Sequence, residues 1–205
     1  MAGKTFVEFG GNPPLASRPH ARCNARVPPK DELRLEMKQR LRALHPRARA
    51  LASEKICRAI LHDSAWQSAR LVAAFLPLPG EPRIAPLWER ADAPAICLPR
   101  VRGPRCDLVP LPERDSLARA DWRLEGAEFD ALPALDLASV DLILVPGLAF
   151  TADGLRLGRG GGYYDRLLAS LPSRTRAIGV CFATQLVATL PVEEHDRQVQ
   201  CVVSG

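Results

Sequence analysis

The stretch "VDLILVPGLAF", residues 140–150, is apolar from Val140 to Val145 apart from Asp141, and it ends on Pro146–Gly147. A strand with one wet face alternates apolar and polar residues, and this one does not. The run reads as a strand covered on both faces, the situation of a strand inside a parallel sheet. Four other runs have the same character: "RLVAAFLPL" (70–78), "AICLPRV" (95–101), "CDLVPL" (106–111) and "AIGVCFA" (177–183). "RIAPLWERA" (83–91) and "YYDRLLASL" (163–171) offer helices between them. Strands alternating with helices predict an α/β fold, a three-layer sandwich with a largely parallel central sheet flanked by helices.

The segment before the first strand has a different period. In "DELRLEMKQRLRALH" (31–45), Leu33, Met37, Leu41 and Leu44 recur at helical spacing, and Pro46 both stops that helix and can open the next. "RARALASEKICRAILH" (47–62) carries a second stripe through Leu51, Ile56, Ile60 and Leu61, which completes an N-terminal helical pair. Ahead of it, residues 1–30 hold Lys4, Arg18, Arg22, Arg26 and Lys30 against Glu8 alone, so nearly all of the chain's net charge of +5 sits there. This segment is rich in Pro, Gly and Arg and has no period, and it reads as an unstructured basic extension to a single α/β domain at 31–205. A nearly neutral body is not a nucleic-acid surface. No apolar run reaches the roughly 18 residues of a membrane span, and the N-terminal residues lack the apolar core of a secretory signal, so a cytoplasmic location is expected. The six cysteines (23, 57, 97, 106, 181 and 201) show neither C-x-x-C nor zinc-ligand spacing and read as free thiols in a reducing compartment.

Ligands of such sheets bind beyond the carboxyl ends of the strands. What lies beyond Phe150 is "RLGRGGGYYDR", residues 156–166. It fits neither the G-x-G-x-x-G dinucleotide fingerprint nor the G-x-x-x-x-G-K-[ST] phosphate loop. The chemistry of those loops is still available. Gly158, Gly160, Gly161 and Gly162 let successive N–H groups turn toward an anion, and the helix that follows points its N-terminus at the same place. Arg156 and Arg159 supply planar cations suited to phosphate, and Asp165 stands where a carboxylate can hold Mg²⁺ beside a polyphosphate. A plain glycine turn with solvated arginines and a repeated RGG-type RNA-binding segment are the competing readings. The first leaves the paired tyrosines and Asp165 unexplained. The second does not fit a stretch that occurs once between apolar elements.

Residues 141–169, "DLILVPGLAFTADGLRLGRGGGYYDRLLA", resemble the signature of the 5-formyltetrahydrofolate cyclo-ligases, also called methenyltetrahydrofolate synthetases. "KQRLR" (38–42), "FLPLPGE" (75–81) and "ATQLVATLPVEEHD" (183–196) resemble further segments of that family, and the likeness runs from about residue 33 to the C-terminus, weakest over 102–135. The resemblance implies an ATP- and Mg²⁺-dependent closure of 5-formyltetrahydrofolate to 5,10-methenyltetrahydrofolate, with release of ADP and phosphate. It places Lys38 and Arg42 at the nucleotide phosphates and makes Arg156, Leu157, Gly158, Arg159, Gly160, Gly161, Gly162, Tyr163 and Tyr164 the main ATP loop. Arg159 and Lys38 become the catalytic cations. Leu76, Glu81 and the stretch from Arg159 to Tyr163 border the folate, and Asp165 and Asp196 are the Mg²⁺ ligands. The partners implied are ATP and 5-formyltetrahydrofolate, with no nucleic acid and no membrane, acting on a monomer or weak homodimer. Another ATP-dependent or phosphosugar enzyme of similar fold, or a non-catalytic nucleotide- or RNA-binding protein, are the alternatives. Glu81 separates the first from the cyclo-ligase reading, and the two aspartates separate the second.

Overall fold

The computed structural model describes residues 28–103, 105–111 and 127–205. Two helices come first, α1 (Lys30–Ala43) and α2 (Pro46–Leu61), followed by the short α3 (Ser64–Ser68). Pro46 opens α2 as expected, with the His45 side chain accepting the Arg47 N–H as an N-cap. A six-stranded sheet follows from β1 (Leu71–Ala73), β2 (Ala95–Arg102), β3 (Arg105–Pro110), β4 (Leu142–Pro146), β7 (Arg176–Cys181) and β8 (Cys201–Ser204), in the order β3-β2-β1-β4-β7-β8. Every pairing is parallel except the β2–β3 hairpin at one edge. Between β4 and β7 lie a two-stranded hairpin, β5 (Ala149–Phe150) with β6 (Arg156–Leu157), and the helix α5 (Tyr163–Ser170). The helix α4 (Ala127–Ala131) precedes β4.

The two-faced burial expected of "VDLILV" is present residue by residue. Leu142 and Leu144 of β4 join the core formed with α1 and α2 through Leu33, Met37, Leu41, Ile56 and Ile60, while Ile143 and Val145 join the opposite core with Leu167 of α5. Strand β7 divides in the same way, Ile178 and Val180 to one side and Ala177 and Cys181 to the other. The sheet is the middle of three layers. Removing one such side chain from water contributes about 1.5–3 kcal/mol, which is why the alternation-free runs could be located at all.

Three expectations change. The first strand ends at Ala73 rather than reaching residue 78, because Pro77 and Pro79 have no N–H for a ladder. The chain from Phe75 to Glu81 leaves the sheet instead. "RIAPLWERA" forms only a 3₁₀ turn, Ala85–Leu87, which drives Ile84, Leu87 and Trp88 into the core together; packing overrides helix propensity there. Lys30 belongs to the folded body, since it opens α1 just after Pro28 and Pro29; residues 1–27 of the expected extension, with Cys23, lie outside the described residues. Cys57, Cys97, Cys106, Cys181 and Cys201 are free, and burial pushes the Cys57 thiol up to about 11 and those of Cys97 and Cys181 up to about 12. No helix among the described residues is long and apolar enough to cross a membrane.

The exit of β4 is fixed by Gln185, which is fully buried. Its Nε2 donates to the carbonyls of Gly147 (2.7 Å) and Leu148 (3.2 Å), and its Oε1 accepts the Phe182 N–H at 2.7 Å. Gln185→Ala would strand three backbone groups away from water. It should cost at least about 2 kcal/mol, read as a lower urea midpoint with an unchanged slope. An unchanged midpoint would show that the amide is replaceable by water.

Candidate active site

The carboxyl ends of β1, β2 and β4 open onto one cavity of about 1180 Å³. The β5–β6 hairpin builds its floor. Thr151 Oγ1 accepts the Leu155 N–H at 3.0 Å and tightens the turn, and Gly154 adopts φ +93°, with the Val199 carbonyl so close that no Cβ fits. The turn delivers Arg156 to a buried position. Its Nη2 donates to Asp165 Oδ1 at 2.7 Å, and its guanidinium carbon lies 5.7 Å from the centre of the Tyr164 ring. Between Arg156 and Asp165 the glycine segment bends across the site. Gly162 caps α5 in the left-handed region (φ +63°), and no side chain caps the first N–H groups of the helix.

Two further segments close the cavity. The N-terminal turn of α1 brings Lys30 and Arg34, and the loop before β8 brings Glu193, His195 and Asp196. Lys30 Nζ lies 2.9 and 2.8 Å from the two Asp196 oxygens and 3.2 Å from Glu193 Oε2. Arg34 Nε donates to the Gly158 carbonyl at 3.2 Å, which ties α1 to the glycine segment. Burial works against the charge on Asp196, yet the hydrogen bonds from Lys30 and the Glu193 N–H outweigh it and hold the carboxyl below its ordinary value. Asp165 reaches the same corner, because its Oδ1 also accepts the Arg197 N–H at 3.4 Å. Ligand atoms of Glu193, His195 and Asp196 lie within 4.8 Å of one another, close enough to share one cation.

Leu76, Glu81, Arg156, Leu157, Gly158, Arg159, Gly160, Gly161, Gly162, Tyr163, Tyr164, Asp165 and Asp196, singled out in the sequence, all line this cavity. Lys38 and Arg42 do not. Both are exposed on α1 and stand apart from the lining, whereas Lys30 and Arg34, also four apart, face it. The helix has the expected basic pair two turns earlier, and Lys38 and Arg42 point to solvent because Met37 and Leu41 take the core-facing positions. "KDELR" carried that signal, hidden by the assignment of Lys30 to the extension. Arg100, Glu193 and His195 are also lining residues that the sequence did not single out. The tyrosines separate: Tyr164 packs against both cores, and burial together with the Glu81 charge pushes its phenol far above the ordinary value, while Tyr163 lies 5.1 Å under the Arg166 guanidinium. Glu81 pairs with Arg159.

The Lys30–Asp196 contact gives a titration to measure. The folded carboxyl lies below the unfolded one, so the stabilisation from this pair is complete above about pH 3.9 and is lost as pH falls through the folded value. Lys30→Met should move the Asp196 carboxyl upward, followed by ¹³C NMR of the side chain. An unmoved titration would assign the low value to the Glu193 N–H and the neighbouring His195.

The comparisons with known proteins converge. The model of the 5-formyltetrahydrofolate cyclo-ligase family matches residues 26–205, beginning earlier than the likeness seen in the sequence. The mouse 5-formyltetrahydrofolate cyclo-ligase is 30% identical over 184 residues, covering 83% of this chain and 91% of that protein. The Escherichia coli K12 protein of the same name is 31% identical over 176 residues, covering 82% and 96%. In three dimensions, the Aquifex aeolicus 5,10-methenyltetrahydrofolate synthetase superposes with a TM-score of 0.70 at 29% identity, over 85% of this chain and 89% of that one. The Mycoplasma pneumoniae 5,10-methenyltetrahydrofolate synthetase has the same fold, with a TM-score of 0.69 at 20% identity over 85% and 97%. Sequence, fold and matched length agree, and the chain belongs to the 5-formyltetrahydrofolate cyclo-ligase family.

Proposed function

We propose that the protein uses ATP and Mg²⁺ to close 5-formyltetrahydrofolate to 5,10-methenyltetrahydrofolate, as a cytoplasmic monomer or weak homodimer whose catalytic domain starts at α1. The observation that carries this reading is the layout of the cavity. A buried carboxylate, Glu81, and an anion-ready glycine segment with an open helix N-terminus share one chamber, and Arg159 stands between them.

The chemistry follows from the substrate. A formamide oxygen is a poor leaving group. In the proposed sequence it attacks the γ-phosphorus of ATP and ADP departs. N10 then attacks the activated formyl carbon, the new C–N bond forms, the N10–H bond gives up its proton to the phosphate oxygens, and the C–O bond breaks with release of phosphate. The protein needs no covalent nucleophile. It aligns two substrates and offers fixed positive charge to the transferring phosphoryl group. Glu81 accepts N–H groups of the pterin, and Leu76 packs beside it. The N–H groups from Gly158 to Gly162 and the start of α5 receive phosphate oxygens, and Arg159 faces the group in transfer. Arg156, buried and held by Asp165, shapes that loop from beneath.

Lys30 and Arg34 take the phosphate role that the resemblance gave to Lys38 and Arg42. Asp165 and Asp196, with Glu193 and His195 beside them, would hold Mg²⁺; this corner already draws the Lys30 ammonium between two carboxylates, so its field suits a cation. When bound, the ion neutralises charge on the phosphate oxygens.

The activity is read directly as growth of methenyl absorbance from 5-formyltetrahydrofolate, ATP and Mg²⁺, absent when ATP is withheld. A folded preparation without that signal would refute the reading. The register correction is separately testable. Loss of a charge-assisted contact costs about 1.5–3 kcal/mol, so Lys30→Met should raise the ATP KM about tenfold or more. Lys38→Met should leave it near the wild-type value. The reverse pattern would return the role to the second basic pair.

A further inference from the structure

The side chains of Glu81 and Arg159 come from segments 78 residues apart and meet inside the cavity. Arg159 Nε and Nη2 both donate to Glu81 Oε1, at 3.0 and 2.7 Å, and the Leu78 N–H donates to Oε2 at 2.9 Å. The Glu81 side chain is 4% exposed and that of Arg159 is 36% exposed. Next to Arg159 the backbone passes through Gly160 at φ +109°, a conformation with no Cβ to restrain it.

We propose that this ion pair is a latch that couples the two substrates: the pterin takes Glu81 and thereby releases Arg159 to the nucleotide. The inference rests on the cyclo-ligase reading given above. A carboxylate offers about four acceptor sites, and three are occupied in this state. A pterin edge presenting two or more N–H donors cannot be seated on Glu81 while Arg159 keeps Oε1. The same exclusion holds on the other side. A guanidinium edge turned to a carboxylate is not available to a phosphoryl oxygen, and its charge is cancelled at short range.

Each substrate alone therefore leaves a charge stranded. A polyphosphate that draws Arg159 away uncovers a buried carboxylate, and such an uncompensated group is strongly unfavourable. A pterin that claims Glu81 leaves Arg159 without its counter-charge. With both substrates present, each charge has a new partner and the penalty disappears. The outcome is positive coupling, and it must be reciprocal: each ligand tightens the other by the same factor. Glu81 is in this sense a positioning residue for Arg159 as well as a pterin contact. An enzyme built this way keeps its phosphoryl-directed arginine withdrawn until the acceptor is seated, which discourages hydrolysis of ATP by water.

Calorimetry with AMP-PNP, Mg²⁺ and 5-formyltetrahydrofolate tests the latch. In the wild type, saturating 5-formyltetrahydrofolate should tighten AMP-PNP by at least about fivefold, and AMP-PNP should tighten 5-formyltetrahydrofolate equally. Glu81→Gln retains an oxygen for the Leu78 N–H but no charge for Arg159. It should bind AMP-PNP without folate more tightly than the wild type does, and the coupling should vanish. Arg159→Gln provides the second arm: it should bind 5-formyltetrahydrofolate alone more tightly than the wild type, again with no coupling. Wild-type protein that binds both ligands, neither affecting the other, would overturn the latch and leave the proposed function standing. Wild-type protein that binds AMP-PNP but no 5-formyltetrahydrofolate would overturn the proposed function, and the latch with it.

Discussion

The contact between Arg156 and Asp165 sets the shape of the site. The guanidinium is almost fully enclosed, with its side chain 3% exposed, and the Asp165 carboxylate at 2.7 Å is its counter-charge. Taking a cation out of water is costly unless it is paired and hydrogen-bonded, so the position of Arg156 obliges Asp165 to stay within reach. Arg156 lies on β6 and Asp165 in the first turn of α5. Holding the two together makes the intervening glycines span a fixed distance. Gly158 passes so close to the Arg156 Nη1 that a Cβ there would lie 2.8 Å from it. The loop is therefore draped over a buried charge. Arg156 Nε has no partner among the described residues, a sign that this arrangement favours the geometry of the site over full satisfaction of the buried group.

Around that anchor the cavity is a mosaic of mutually satisfied charges: Lys30 with Asp196 and Glu193, Arg34 with Asp31, Arg159 with Glu81, and Arg156 with Asp165. A chamber lined by unopposed cations would accept any polyanion. Here an entering anion has to offer more than the carboxylate it displaces, and a donor-bearing ring has to offer more than the guanidinium it displaces. Selectivity of this kind comes from competition with internal partners.

Much of this was legible in the chain. The strands of the parallel sheet could be found because burial on both faces erases alternation, as in β4 and β7. The stop of α1 and the start of α2 could be read from Pro46, whose ring forbids one role and suits the other. The glycine segment stood out because four glycines, two arginines and an aspartate after a buried strand have few structural uses. What escaped depended on distant partners. The two-residue strands of the β5–β6 hairpin are too short to show a period. The 3₁₀ turn at Ala85–Leu87 is dictated by core packing of Trp88 and its neighbours. The choice between Lys30–Arg34 and Lys38–Arg42 was a question of which turn of one amphipathic helix meets the cavity, and both pairs have the same spacing. The loop at Glu193–Asp196, folded back against the start of α1, and the Gly158 carbonyl that receives Arg34 distinguish them.

That last contact has a bearing on how the protein comes into being. Lys30 and Asp196 are separated by 166 positions in the chain, yet they share two hydrogen bonds at the same corner of the cavity. During synthesis from the N-terminus, α1 leaves the ribosome early, and its basic turn must wait for the partner that completes it. The central parallel strands have the same dependence on late-arriving sequence, since β4 and β7 pair only after most of the chain exists. Long-range pairing of this kind folds slowly, and the unfinished intermediate exposes apolar faces. A nascent chain truncated before Glu193 would have an arginine-lined glycine segment but no acidic corner. The corner that holds Lys30 is therefore closed only after residues 193–196 have been made.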